Sequence, residues 1–226
     1  KIYLKKKISY KIFVIKKILI FSAGSLGIEI LELINQINKN KKEFDVIGFV
    51  DNGKNKKNIN GIKVFNSKKI PKKKIYAICG IMDPHLREKI IKKEIKKDFK
   101  MVNLIHPDIK IPNSSKLGVG NIIFDNVHIS YEVNLGNHSI ISNFSDIGHN
   151  LQSKDFLTIM PGTLIGGNCK IGKKVLFGAG AIVSQNVIIG NNCKIGTSTL
   201  ISKNLNDNVS VINHKRQIYS KINIKK

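Results

Sequence analysis

The feature that most constrains the fold of this chain is a period of six residues that runs from Ile105 to Ile201. Of the 17 positions reached in steps of six, all but Ser153 hold a large apolar residue. An α-helix cannot keep a period of six on one face, and a two-sided strand alternates with a period of two. The period instead predicts a parallel β-helix, in which three six-residue units close each coil and the stack holds between five and six coils.

A second, mostly small residue follows each apolar position by four, as at Ser139, Ala181 and Cys193. One large and one small inward side chain per unit suit a narrow core. The missing apolar residue at Ser153 indicates either a looser coil or one tolerated polar residue near a corner. Since a solenoid needs covered ends, we expect the preceding domain and the segment after Asn206 to cover them.

The first half of the chain has a different pattern, which predicts a nucleotide-binding βαβ unit. The elements in order are a strand at Lys17–Ser22, a glycine turn at Ala23–Gly27, a helix at Ile28–Ile37, and a strand at Phe44–Val50 that ends at Asp51. The dinucleotide fingerprint is degraded, because Ser22 replaces its first glycine. Such a turn offers backbone N–H groups to a phosphate, while Asp51 or Asn52 can bind a ribose or base. A glycine turn without a ligand is the alternative.

Further elements follow before the repeat. We expect a strand at Ile75–Gly80, a helix from Asp83 as N-cap to about Lys97, and a strand at Met101–Ile105 that leads into the repeat. Residues 52–74 are predicted to form a surface loop around a short strand, Ile62–Phe65.

Composition disfavours several classes of protein. The net charge of +24 suggests a nucleic-acid partner, but the chain has only two arginines, Arg87 and Arg216, and its lysines are scattered. Lys16 and Lys17 interrupt the best apolar run, so we expect no membrane insertion, and residues 1–17 lack the pattern of a secretory signal. The expected location is the cytoplasm. Three cysteines without a CxxC pair predict reduced core thiols rather than a metal site.

The combination of these motifs resembles one family. An AGSLG turn, a GFVDN strand end, the LIHP segment and an uninterrupted hexapeptide repeat resemble the bacterial sugar O- and N-acyltransferases. These are the sialic acid O-acetyltransferases and the UDP-4-amino-sugar N-acetyltransferases of the bacillosamine pathway, and the resemblance covers residues 17 to about 218. It implies a left-handed β-helix, a homotrimer with active sites between subunits, acetyl-CoA as donor and no metal.

The resemblance also implies a catalytic base. The family's base follows an Ile-Gly pair, which places it at His149 in this chain, and Asn150 stands where relatives often have an acid. Residues eighteen apart stack in successive coils, so His149 lies between Tyr131 and Gly167, and Asn150 lies over Glu132. We therefore expect Glu132 to supply the carboxylate, and the glycine at 167 to leave room for the thioester.

Two ligand sites follow by position against the relatives. The acetyl-CoA contacts fall on Thr158, Gly167, Ala179 and Thr197. The nucleotide of the acceptor falls on Ser25, Leu26, Gly27, Asp51 and Asn52. A family turn that touches CoA after the last repeat has no counterpart at residues 212–216.

The sequence thus predicts an α/β Rossmann-like domain followed by an all-β left-handed parallel β-helix. The boundaries are a basic extension at 1–16, the Rossmann-like domain at 17–103, the β-helix at 104–206 and a tail at 207–226. The predicted function is acetyl-CoA-dependent acetylation of a nucleotide-linked amino sugar in surface-glycan biosynthesis. The alternatives are O-acetylation of sialic acid or a related nonulosonic acid and, in another class, a basic nucleic-acid-binding scaffold. The broken glycine fingerprint disfavours an oxidoreductase.

Overall fold

The computed structural model describes residues 14–53, 57–70, 75–95 and 99–213. Of the predicted basic extension, only residues 14–16 fall within these ranges, and the tail beyond residue 213 lies outside them. No helix in these ranges is long and apolar enough to cross a membrane.

The N-terminal domain is built on a six-stranded sheet with the order β3-β4-β2-β1-β5-β6, parallel except for the β3–β4 pair. The strands are β1 (Lys16–Phe21), β2 (Phe44–Val50), β3 (Asn58–Ile59), β4 (Ile62–Phe65), β5 (Ile75–Cys79) and β6 (Phe99–Met101). The continuous apolar run of β1 suits a central parallel strand, and its last four residues are buried.

Two helices flank this sheet. Helix α1 (Ser25–Asn40) packs its apolar stripe between the sheet and the β-helix. Helix α2 (Pro84–Ile90) continues as a π-helical turn (Ile91–Ile95) and covers the other face. The predicted start of α2 is confirmed, because the Asp83 carboxylate accepts a hydrogen bond from the backbone N–H of Leu86 at 2.7 Å.

The segment predicted as a loop also contains a β-hairpin. Strands β3 and β4 are joined by Asn60 and Gly61, whose φ angles are +50° and +78°. Two successive residues in the left-handed region form a type I′ turn, for which Asn-Gly is the preferred sequence. A short 3₁₀ turn at Ser67–Lys69 follows.

The second domain is a left-handed β-helix with three faces, and the predicted period of six is confirmed. The covered face, which packs against α1, contains β7 (Leu104–Ile105), β9 (Ile122–Ile123), β12 (Ile140–Ile141), β15 (Thr158–Ile159), β18 (Leu176–Phe177), β21 (Lys194–Ile195) and β23 (Ser210–Val211). The apolar face contains β10 (His128–Ile129), β13 (Asp146–Ile147), β16 (Leu164–Ile165), β19 (Ile182–Val183) and β22 (Leu200–Ile201). The polar face contains β8 (Lys116–Leu117), β11 (Asn134–Leu135), β14 (Gln152–Ser153), β17 (Lys170–Ile171) and β20 (Ile188–Ile189).

The corners of the β-helix between Gly120 and Ser198 each turn through one residue in the left-handed region. From Gly120 to Ser198, each sixth residue has a positive φ, between +52° and +74°. Asparagine and glycine, which tolerate this conformation, occupy most of these positions, but Glu132 and Phe156 adopt it as well. Because the corners repeat in register, residues eighteen apart lie directly above one another.

The register departs from the sequence prediction at both ends. The strand expected at Met101–Ile105 is two strands, β6 in the sheet and β7 in the β-helix. At the other end, β21 pairs with β23 sixteen rather than eighteen residues later, so the coils continue to Val211. At Ser153 the pairing with β17 is kept, but β14 pairs with β11 only through Gln152 and Asn134. The backbone N–H of Gly136 donates instead to the Ser153 hydroxyl at 3.2 Å, so the polar residue is tolerated with the ladder altered at this one position.

Arg87 of α2 joins the two domains. Its side chain is 1% exposed and donates to the carbonyls of Ile81 and Met82 within its own domain. It also crosses to the carbonyls of His138 and Leu157 and to the hydroxyl of Thr158, at 2.9, 3.1 and 2.9 Å. Burial lowers the pKa of Arg87 to about 10.

The three cysteines are unpaired and buried, as predicted for reduced core thiols. Burial raises the pKa of the Cys79 thiol to about 12, which keeps it protonated and unreactive.

Candidate active site

His149 lies at the corner that joins the apolar face to the polar face, with a relay of hydrogen bonds behind it. Its Nδ1 is 2.8 Å from Oδ1 of Asn150, and Nδ2 of Asn150 donates to Oε2 of Glu132 at 2.5 Å. Because the Asn150 amide nitrogen donates to Glu132, its oxygen is left to accept from His149. The neutral imidazole therefore carries its proton on Nδ1 and has a free lone pair on Nε2.

The imidazole of His149 is held flat between its two neighbours in the stack. The Tyr131 ring lies at a centroid distance of 5.2 Å and an interplanar angle of 7°. On the other side, a Cβ built on Gly167 would lie 2.5 Å from Cε1 and Nε2. Gly167 thus makes room for the imidazole itself, which corrects the expectation that it leaves space for a thioester.

A second paired histidine, which the sequence reasoning missed, lies on the apolar face. His128 Nδ1 is 2.8 Å from the Asp146 carboxylate, and both side chains are exposed. Their separation of eighteen residues was the signal for this contact, because the two residues face each other in paired strands.

The residues predicted to contact acetyl-CoA lie in three places. Ala179 and Thr197 stack at the corner between the covered and apolar faces, where the backbone N–H of Ser198 donates to the carbonyl of Ala179 at 2.8 Å. Gly167 lies at the corner of His149. Thr158 is fully buried at the domain junction, where Arg87 donates to its hydroxyl, which donates to the Met82 carbonyl at 2.8 Å. The prediction for Thr158 is therefore wrong, because none of its surface is open to a ligand.

An apolar ladder lies between the two corners. Leu164, Ile182 and Leu200 face outward in register on β16, β19 and β22, and they are 43%, 44% and 62% exposed. Exposed apolar side chains in a continuous row are typical of a surface that another molecule covers.

The N-terminal domain has its own cavity, of about 240 Å³, at the carboxyl edge of the sheet. Asp51 and Asn52 line it, as predicted for an acceptor site. The Asp51 carboxylate accepts from the backbone N–H groups of Ala23 and Gly53, at 3.2 and 2.9 Å, and so ties the glycine turn to the end of β2. Apolar side chains and Glu94 complete the lining.

The glycine turn lies beside this cavity, but Ser25, Leu26 and Gly27 do not line it. A Cβ on Gly27 would lie 2.3 Å from the Ser22 carbonyl oxygen, so Gly27 allows the helix to pack closely against the strand. Helix α1 begins at Gly24 without a capping side chain from the described residues, and its first turn holds no acidic residue. Its N–H groups are therefore available to an anion at this edge.

Two family models match the chain and agree with this architecture. The PglD N-terminal domain matches residues 17–93, and the bacterial transferase hexapeptide (six repeats) matches residues 168–203. The chain thus carries a PglD N-terminal domain followed by a bacterial transferase hexapeptide segment, and it is homologous to sugar acetyltransferases.

Among its relatives is a GDP-perosamine N-acetyltransferase of Escherichia coli O157:H7, which is 28% identical over 74% of this chain and 78% of the relative. Two solved structures share the fold. The acetyltransferase domain of PglB from Neisseria gonorrhoeae, in complex with acetyl coenzyme A, has a TM-score of 0.79 at 21% identity and covers 87% of this chain and 96% of its own. PerB from Caulobacter crescentus, in complex with CoA and GDP-perosamine, has a TM-score of 0.78 at 22% identity. This match covers 92% of the present chain and 99% of the PerB chain.

Proposed function

We propose that this protein transfers the acetyl group of acetyl-CoA to the amine of a nucleotide-linked amino sugar, with His149 as the general base. The observation that carries the proposal is the relay from His149 through Asn150 to Glu132 on an outward corner. The relay fixes the tautomer that a base requires, since Nε2 has its lone pair free. The relatives, named for GDP-perosamine acetylation and for acetyl-CoA complexes, support the choice of amine and donor.

The chemistry follows from that geometry. The acceptor nitrogen adds to the thioester carbonyl and forms a C–N bond, while Nε2 of His149 takes the proton that the nitrogen loses. The C–S bond then breaks, and the proton passes from His149 to the leaving thiolate, which yields the amide and free CoA thiol. Glu132, through Asn150, stabilises the imidazolium that forms in between. We propose that backbone N–H groups of the coils hold the carbonyl oxygen as it gains charge.

The donor is proposed to lie along the apolar face. One corner of this face carries Ala179 and Thr197, and the other corner carries Gly167. The exposed ladder of Leu164, Ile182 and Leu200 provides an apolar surface for the arm of acetyl-CoA that carries the acyl group. No group of three or more potential metal ligands occurs among the described residues, and the proposed steps use only protein groups.

The acceptor is proposed to bind in the cavity of the N-terminal domain, which has consequences for assembly. That domain packs on the covered face, whereas His149 lies at the opposite corner of the same β-helix. A base and a nucleotide on opposite sides of one subunit meet in a site formed between neighbouring subunits. We therefore propose a homotrimer, in which a neighbour covers part of the apolar face.

Two measurements test these proposals. Thiol release from acetyl-CoA is expected with nucleotide-linked 4-amino sugars and absent with free nonulosonic acids. Release with the nonulosonic acids alone would instead establish O-acetylation.

Sedimentation is expected to give three times the 25.3 kDa chain mass, and Ile182→Glu is expected to dissociate the assembly, whereas Lys170→Glu on the polar face is not. A fully active wild-type monomer would refute the shared site.

A further inference from the structure

We propose that Glu94, held by Asn52, reads the base of the acceptor nucleotide and selects guanine over uracil. The inference rests on the proposed function, in which the acceptor is nucleotide-linked. It concerns the end of the N-terminal cavity where Glu94 of the π-helical turn contacts Asn52, which follows β2.

The two polar side chains at this end are fixed by hydrogen bonds. Asn52 Nδ2 donates to Oε1 of Glu94 at 3.1 Å, and Asn52 Oδ1 accepts from the backbone N–H of Ser67 at 2.9 Å. The Asn52 amide therefore has a defined orientation and holds the carboxylate in place. Oε2 of Glu94 has no partner among the described residues, so it is open to a ligand in the cavity.

The contacts run in an order that matches the parts of a nucleotide. The uncapped N-terminus of α1 suits the phosphates, and the adjacent Asp51, bonded to Ala23, suits the ribose hydroxyls. Asn52 and Glu94 come next along the cavity edge. The same cavity is also lined by apolar side chains of the kind that a flat base requires on its faces, namely Phe21, Val50, Ile81, Leu86 and Ile90.

A carboxylate distinguishes the two bases by its acceptors. Guanine presents its N1–H and exocyclic N2–H as two adjacent donors, which pair with the two oxygens of one carboxylate. Uracil presents a single N–H between two carbonyl oxygens. Against Glu94 it forms one hydrogen bond and places a carbonyl oxygen beside a negative charge, which disfavours it.

The variant Glu94→Gln tests this proposal because its amide no longer distinguishes the two bases. Glutamine offers one acceptor and one donor side by side, which pair with the N–H and a carbonyl of uracil and equally with the N1–H and O6 of guanine. Titration calorimetry with GDP and UDP measures the preference in wild type and in Glu94→Gln. The matched control is Glu32→Gln, which removes one carboxylate from the exposed side of α1 outside the cavity.

Wild type and Glu32→Gln are expected to bind GDP at least about tenfold more tightly than UDP, and Glu94→Gln is expected to bind the two nucleotides with nearly equal affinity. An equal affinity for both nucleotides in wild type, or an unchanged ratio in Glu94→Gln with a wild-type melting temperature, would overturn the proposal.

Thiol release with GDP- and UDP-linked amino sugars separates the proposed function from the proposed recognition of the base. If neither sugar is acetylated while GDP still binds through Glu94, the proposed function fails and the base reading stands. If both are acetylated without preference, the base reading alone fails.

Discussion

His149 is placed for chemistry rather than for packing. It lies outside the six-residue register that fills the core, and its ring is half-buried at a corner. His149→Ala is therefore expected to lower kcat by about 10² to 10⁴ without loss of fold or of acetyl-CoA binding, because a positioned base contributes that much. Steady-state kinetics with a nucleotide-linked amino sugar measures the change.

His128 provides the matched control for this substitution, since it lies on the apolar face next to the corner of His149 and is paired directly with a carboxylate. His128→Ala is expected to keep wild-type kcat. A collapse of kcat in His128→Ala together with normal turnover in His149→Ala would transfer the role of base to the His128–Asp146 pair. High pH, where the acceptor amine is neutral, is expected to rescue His149→Ala in part.

The residue scale also shows what the sequence can and cannot predict about the site. The contact between Asn150 and Glu132 was predictable, because stacking eighteen residues apart follows from the repeat. The burial of Thr158 was not, since it depends on Arg87 arriving from another domain, which no periodicity within the repeat records. Glu94 and Asn52 were missed as a pair for the same reason, because 42 residues separate them and only the tertiary fold brings them together.

The glycine turn is the element whose geometry is most demanding. Gly27→Ala would place a methyl group 2.3 Å from the Ser22 carbonyl oxygen, and neither backbone segment can move without shifting α1 from β1. We expect this substitution to raise the acceptor KM at least about tenfold, because the helix N-terminus leaves the cavity edge, while acetyl-CoA affinity is unchanged. Gly24→Ala is the control, since the nearest atom to its Cβ is 3.7 Å away. Equal loss of donor affinity in Gly27→Ala would mean that the two ligands do not occupy separate domains.

Helix α2 contributes one side chain on which the domain junction depends. Arg87→Ala removes the donor of five hydrogen bonds, of whose acceptors only the Met82 and Leu157 carbonyls keep another donor among the described residues, and is expected to lower the free energy of unfolding by about 3 to 5 kcal/mol. Urea unfolding measures this loss. The exposed Lys89 on the same helix is the control, and Lys89→Ala is expected to stay within about 0.5 kcal/mol of wild type. A similar small effect for Arg87→Ala would show that water replaces the guanidinium at no cost.

Elements were predictable where a local pattern decides them. The six-residue period defined the strands of the β-helix, and the Asn-Gly pair was a readable but unused signal for the β3–β4 hairpin. The strand expected at Met101–Ile105 is divided because Asn103 serves the first coil instead of the sheet. Its side chain donates to the Gly118 carbonyl at 2.8 Å and accepts from the Asn121 backbone N–H at 2.9 Å. That role depends on a coil formed later in the chain, so the apolar residues around it could not reveal it.

At the scale of the whole molecule, an ion-pair cluster reinforces the junction between the domains. Glu88 of α2 pairs with Lys173 and Lys174 of the β-helix at 2.8 and 3.3 Å, and with Lys92 of its own domain at 2.9 Å. Hydrogen bonds from these lysines, from Lys173 first, lower the pKa of Glu88 to about 2. A carboxylate with a lowered pKa stabilises the folded state above its ordinary pKa and loses that contribution as the pH falls towards the folded-state value.

The loss of this contribution at low pH predicts how the free energy of unfolding depends on pH. Between pH 5 and pH 2, the free energy of unfolding of wild type is expected to fall by about 1 to 3 kcal/mol relative to Glu88→Gln. Above pH 5 the difference between the two proteins is expected to be constant. Urea unfolding at a series of pH values measures both curves, and parallel curves across the acid range would exclude a role for the Glu88 charge.

The position of Arg87 also orders events during synthesis. The last of its acceptors, Thr158, follows it by 71 residues, a stretch that a ribosome adds in about 4 to 14 s. During that interval the N-terminal sheet can assemble, but the guanidinium has only its own domain's carbonyls to bind. Closure of the junction therefore waits for the coil that carries Leu157. Nascent chains that stall before this coil are therefore expected to expose a cation and its neighbouring apolar surface, and those that pass it are expected to become resistant to proteolysis in one step.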